Sequence, residues 1–133
     1  MKQEDKELLL RDLCARLPYG VKCAYFNTKG EIKVGELLTV WCKEKRVFID
    51  KLSIDYDGCD CIGVMPFLYP LSSMTEEQKV IYGDLCYSVI QSLANNMQSE
   101  LNELINWLNA NHFDYRCLIE KGLAIDATGL NIY

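Results

Sequence analysis

The sequence predicts a single α+β domain with three parts. These are an N-terminal helix, a four- to five-stranded antiparallel meander or small SH3-like barrel, and C-terminal helices packed on it. Three observations carry this expectation. Apolar residues recur at three- and four-residue steps ahead of Pro18, the period switches to two over residues 20–68, and helical spacing returns beyond Thr75. The 133 residues match one domain of ordinary size, and no repeat, low-complexity stretch or linker divides residues 1–133. Half the residues are hydrophobic and a quarter are charged, which excludes a disordered or collagen-like chain.

The first helix is expected over residues 1–17. Leu9, Leu10, Leu13, Cys14 and Leu17 form its apolar stripe, and Glu4, Asp5 and Glu7 lie in its first turns, where the helix dipole favours negative charge. Pro18 disfavours helical geometry at Leu17 and ends it. In the strand region Val21, Cys23 and Tyr25 alternate with Lys22, Ala24 and Phe26. Turns are expected at residues 27–30, at residues 43–46 and at Asp57-Gly58, the last with type I′ hairpin chemistry. The final strand, starting at Cys59, is expected to end near Pro66, which has no amide hydrogen for a ladder.

From residue 74 to 125 the chain reads as mainly helical. Thr75-Glu76-Glu77-Gln78 is a capping box, in which the threonine side chain and Gln78 satisfy each other's backbone amides. Ile81, Leu85, Val89 and Leu93 make one stripe, and Met97, Leu101, Leu104, Ile105 and Leu108 a second, with Asn95-Asn96 breaking the pattern between them. Asp114 is placed to cap a last short helix through Lys121, ended by Gly122 in the left-handed region. Residues 123–125 suggest a closing edge strand, and the tail after Asp126 is expected to be loose.

Charge and cysteine usage narrow the function classes. Residues 1–70 balance eleven basic against eleven acidic side chains, while residues 71–133 carry three against eight. Phosphate-backbone binding needs a positive field, so a nucleic-acid partner is disfavoured. No uncharged apolar run approaches the ~20 residues of a membrane span, and the charged start has no signal-like core, so a cytoplasmic domain is expected. The seven cysteines are odd in number and contain no Cys-x-x-Cys pair, which reads as free thiols in a reducing compartment.

Candidate sites are sparse. Asp55-Tyr56-Asp57-Gly58-Cys59-Asp60-Cys61 gathers carboxylates and thiols, and Cys59 and Cys61 would share one strand face, making them metal-ligand candidates with the one histidine, His112. The glycine spacing excludes an EF-hand, and Asp-Gly is explained as a turn. His112 with Asp114 and a cysteine would be the parts of a Cys/His-dependent hydrolase. A histidine near a helix C-terminus more commonly serves the dipole. Tyr19, Trp41, Phe67, Tyr69 and Trp107 are candidates for an aromatic binding surface. No cofactor is implied by any pattern.

Two resemblances add to this. Gly30-Glu31-Ile32-Lys33-Val34-Gly35-Glu36-Leu37 resembles the first motif of Sm-like RNA-binding barrels, whose glycines let a strand bend, but their Asn-rich loop and basic Arg-Gly turn are missing. Three longer blocks are Leu13-Cys14-Ala15-Arg16-Leu17-Pro18-Tyr19-Gly20-Val21, Ser72-Ser73-Met74-Thr75-Glu76-Glu77, and Trp107 through His112-Phe113-Asp114-Tyr115-Arg116 to Ala124. Together they resemble a family of small uncharacterised proteins of gut bacteria and their phages or mobile elements. The resemblance implies no activity. The chain departs from it before Pro70, where an arginine is expected, and at Cys117, where a glycine is expected.

The expectation is a non-enzymatic accessory protein acting through contact with a protein partner or a second copy of itself. The alternative is a small nucleic-acid-binding barrel using Lys22, Lys29, Lys33, Lys43, Lys45 and Arg46 on one face. A hydrolase stands third.

Overall fold

The structure is a computed structural model that describes residues 2–26, 29–41, 43, 46–49, 52–55, 64–92 and 98–133, with the backbone alone for residues 46 and 52–55. It is an α+β fold. Helix α1 (Gln3–Arg16) is followed by strands β1 (Lys22–Phe26), β2 (Ile32–Trp41), β3 (Arg46–Ile49), β4 (Leu52–Asp55) and β5 (Met65–Leu68). Helices α2 (Glu76–Gln91) and α3 (Gln98–Ala110) come next, and β6 (Ile125–Asp126) closes the element order.

The strands run β4-β3-β2-β1-β5-β6 across one sheet, antiparallel except for the β5–β6 pair. Strand β2 is long enough to serve both halves. Its first residues pair with β1, from Phe26↔Ile32 to Lys22↔Glu36, and its last with β3, from Leu37↔Ile49 to Trp41↔Arg46. Among the described residues no pairing joins β4 to β5 or β6, so the sheet is open and not a closed barrel; β1 to β4 form a meander, and β5 crosses back to pair on the other side of β1. The register slips between Leu37 and Thr39, a bulge two residues beyond Gly35. Gly30 lies in the preceding turn at φ 79°, where an L side chain is disfavoured.

Alternation along β1 sends Val21, Cys23 and Tyr25 to one face, where they meet Leu9 and Leu13 of α1 and Leu37, Val47, Ile49 and Leu68 of the sheet. Full burial of such side chains stabilises by roughly 1.5–3 kcal/mol each. Ala24 and Phe67 point the other way and are covered by Ala127. Pro66 sits before the β5–β6 pairing, which begins at Phe67, so its missing amide costs no β6 bond.

Three expectations need correction. Cys14, placed in the α1 stripe, is exposed, and the buried face of that helix is completed by Asp12 and Arg16, both fully buried. Residues 114–121 form turns and not a helix. The Asp114 carboxylate does cap them, accepting from the Leu118 and Ile119 amides at 2.9 Å, but the chain reverses at once. Leu123 N–H donates to the Leu118 carbonyl and Gly122 N–H to that of Ile119, a Schellman closure with Gly122 at φ 72°. The tail beyond Asp126 is fixed. Ala127 N–H donates to the Leu68 carbonyl at 2.8 Å, Lys22 Nζ donates to the Ile132 carbonyl at 2.9 Å, and the Tyr133 hydroxyl donates to the Phe67 carbonyl at 2.8 Å.

Thr75 and Gln78 form the expected capping box at the start of α2. Helix α3 packs against α1 and α2 packs on α3. Met74, Leu108 and Phe113 form the small core beneath this helical pair, with Tyr69, Tyr82 and Trp107 at its edge. The turns at Asn27-Thr28 and Asp57-Gly58 and the Asn95-Asn96 break lie outside the described residues.

Candidate functional site

One cavity, of about 340 Å³, is lined among others by Tyr69, Thr75, Gln78, Asn111, His112 and Tyr133. Three stretches distant in sequence build it, residues 69–78, 110–113 and the tail. The residue after β5 supplies Tyr69, the capping box of α2 supplies Thr75 and Gln78, the end of α3 supplies Asn111 and His112, and the tail supplies Tyr133.

His112 is held in place by helix-ending chemistry. Phe113 N–H donates to the Leu108 carbonyl at 2.9 Å and His112 N–H to that of Asn109 at 3.1 Å, a second Schellman closure. His112 therefore occupies the left-handed position at φ 60°, which glycine usually fills. Leu108 and Phe113 share a core cluster, the hydrophobic contact that accompanies this motif. Tyr69 clamps the next turn from the sheet side, donating from its amide to the His112 carbonyl and accepting from the Asp114 amide, both at 2.8 Å.

The imidazole lies flat against Tyr133, with ring centroids 3.6 Å apart and planes within 10°. Its Nδ1 is buried without a hydrogen-bond partner. Burial, helped by the positive charges of Arg16 and Lys22, pushes the His112 pKa down to about 4. The ring is thus neutral at pH 7, and it does not serve the α3 dipole as a cation. Leaving a lone pair unpaired inside is better tolerated than orphaning an N–H, which assigns the proton to Nε2.

Behind this wall sits a buried charge cluster. Arg16 Nε donates to Asp12 at 2.8 Å, Arg16 Nη2 donates to the Phe113 carbonyl at 2.6 Å, and Arg116 Nη1 donates to the other Asp12 oxygen at 2.8 Å. Both guanidinium groups lie over the Tyr115 ring, at 5.3 and 4.5 Å from its centroid. The Tyr115 hydroxyl donates to the buried Asn109 side chain at 2.9 Å.

The residues singled out from the sequence are scattered. Tyr69 and Trp107 share the small core, where Trp107 stacks between Tyr82 and Phe113. Phe67 is buried on the opposite face of the sheet from α1, Tyr19 is half-buried in the 3₁₀ turn after α1, and Trp41 lies against Phe48 at the far end of β2. The five aromatics thus do not make one surface. Cys59 and Cys61 lie outside the described residues, and among the described residues no group of three or more His, Cys, Asp or Glu side chains is placed to hold a metal. His112 makes no contact with Asp114, whose two carboxylate oxygens are both taken by backbone amides.

The lysines also diverge. Lys22 is opposite Glu36 on one face of the β1–β2 pair, and Lys33 is opposite Tyr25 on the other, in an ion pair with Glu31 at 3.3 Å. The side chains of Lys45 and Arg46 are outside the described residues. No described helix is long and apolar enough to cross a membrane.

Asp12, Arg16, Tyr115, Arg116 and Tyr133 were not legible as a group. The Asp12–Arg16 spacing of four was the one available signal, and it ordinarily marks an exposed helical pair. Comparison of the chain with protein-family models, curated proteins and solved structures gives no match.

Proposed function

We propose that this chain is a non-enzymatic accessory protein of the cytoplasm, of phage or mobile-element origin, that binds another protein through the outer face of α2. One observation carries the reading: α2 is apolar on both sides. Tyr82, Leu85, Cys86 and Val89 are half-buried, while Val80, Tyr87 and Ile90 are 64%, 61% and 60% exposed. Steps of seven and three residues put those three on one helical face. A helix that is apolar all round is ordinarily buried, and a row of large exposed apolar side chains ordinarily marks a contact surface.

Gly83 lies between Val80 and Tyr87 with open space around it, so a partner's backbone can approach closely there. Asp84, Glu76 and Glu77 add negative charge along the same helix, which favours a partner whose apolar surface has a basic rim. The suggested origin rests on the sequence resemblance alone. The cytoplasmic placement is supported by Cys14, Cys23, Cys86 and Cys117, which are free thiols.

The test compares affinity capture by the wild-type chain and by a Tyr87→Glu/Ile90→Glu variant with an unchanged circular-dichroism spectrum. A protein retained by the first, lost by the second and binding again when purified is the expected result. Identical capture by both, or a hydrolase activity abolished by His112→Ala, overturns the reading.

A further inference from the structure

We propose that the cavity between β5, α2, α3 and the tail is a binding site for a small uncharged ligand rich in hydroxyl groups, of monosaccharide size. The site is separate from the α2 contact face. Its volume, about 340 Å³, lies at the lower end of the ~300–1,000 Å³ range of small-molecule pockets.

The lining chemistry selects the ligand class. None of the described lining side chains carries a carboxylate, ammonium or guanidinium group, so a charged ligand finds no side-chain counter-ion at the wall. What lines the cavity instead is a set of neutral groups with unused hydrogen-bonding capacity. Gln78 Oε1 accepts from the Thr75 amide, which leaves its Nε2 as a donor. Asn111 Nδ2 donates to the Trp107 carbonyl, which leaves its Oδ1 as an acceptor. The Tyr69 hydroxyl makes no hydrogen bond among the described residues and can do both. The neutral His112 ring has Nδ1 buried, so Nε2–H is its remaining donor. A hydroxyl group donates and accepts at once, and a wall that mixes spare donors with spare acceptors satisfies several of them together.

The site is also preorganised. His112 is fixed by the Schellman closure, by the Tyr69 clamp on its carbonyl and by the Tyr133 ring stacked on it. Gln78 is fixed by its capping box. The Tyr133 hydroxyl is already engaged, donating to the Phe67 carbonyl and accepting from the Lys22 amide, so Tyr133 contributes shape and not a polar contact. A ligand therefore pays little for ordering the wall.

The experiment is a ¹H–¹⁵N titration of the full chain with glucose, galactose and N-acetylglucosamine, each up to about 100 mM, the range that detects binding near −1.4 kcal/mol and tighter. Sodium acetate at the same concentration is the charged control. The expected result is saturable shifts at residues 69, 75, 78 and 111–113 with at least one sugar and none with acetate. Tyr69→Phe, which removes only the hydroxyl, is expected to weaken that binding ~5-fold, the loss of about one hydrogen bond, with the rest of the spectrum unchanged. No saturable shift with any sugar overturns the proposal. So do shifts mapping away from the cavity, shifts with acetate alone, or binding unaffected by Tyr69→Phe. If that variant unfolds, Gln78→Glu takes its place, because it keeps the oxygen that accepts from the Thr75 amide, removes only the spare Nε2 donor and is also expected to weaken the sugar.

Discussion

Arg16 Nη2 donates to the Phe113 carbonyl oxygen at 2.6 Å, joining the last turn of the first helix to a turn 97 residues later. The same guanidinium is paired through Nε with Asp12, and neither side chain reaches solvent. Asp12 also takes Arg116, so one carboxylate ties α1 to the segment that follows α3.

Asp12→Ala therefore leaves Arg16 buried without its counter-ion. Loss of one partner from such a pair typically costs about 3–5 kcal/mol. Urea unfolding is expected to show a loss of unfolding free energy of that size, and a loss below about 1 kcal/mol would mean that water reaches Arg16 freely.

Tyr133→Phe removes one hydroxyl that serves two backbone groups, accepting from the Lys22 amide at 3.0 Å and donating to the Phe67 carbonyl at 2.8 Å. The expected cost is about 1–2 kcal/mol. Hydrogen exchange at the Lys22 amide should accelerate in the variant by more than at Cys23, whose position in the ladder is unchanged.

Protonation of His112 is linked to folding. Its ordinary value is 6.5 and burial, with Arg16 and Lys22, lowers the folded value to about 4. Between those two values the unfolded chain binds more protons, so the contribution is whole above pH 6.5 and is lost as pH falls toward 4. Denaturant midpoints measured at intervals from pH 7 to 4.5 should fall more steeply for the wild type than for His112→Asn, which tolerates the left-handed backbone. Parallel curves would show that the imidazole is more solvated than the Tyr133 stack suggests.

Cys117 is a non-glycine residue at φ 59°. An L side chain there costs about 1–2 kcal/mol, partly offset in a glycine variant by the greater freedom of the unfolded chain. Cys117→Gly is expected to raise stability by about 0.5–1 kcal/mol in a thermal melt.

Local rules were legible from residues alone. The stop of α1 ahead of Pro18, the alternation of Val21, Cys23 and Tyr25, and the Thr75–Gln78 box all follow from interactions within a few residues, which spacing encodes directly. His112 was visible as an isolated histidine, though not its neutrality, which comes from burial among segments that meet only in the folded chain. The turns at residues 114–121 differ from the expected helix because Asp114 spends both oxygens on amides four and five residues ahead, and Leu123 reaches back to Leu118. An i,i+4 spacing such as that of Asp12 and Arg16 ordinarily marks a solvated pair, yet packing of α1 against the Phe113 turn buries both. The tail beyond Asp126, expected to be loose, is ordered because Ala127 and Tyr133 find β5 carbonyls. Sequence determined the secondary-structure class, since hydrophobic period and capping are short-range properties. The cavity, its neutral histidine and the buried Arg16–Asp12–Arg116 cluster were decided by tertiary structure alone, because each depends on desolvation by residues tens of positions away.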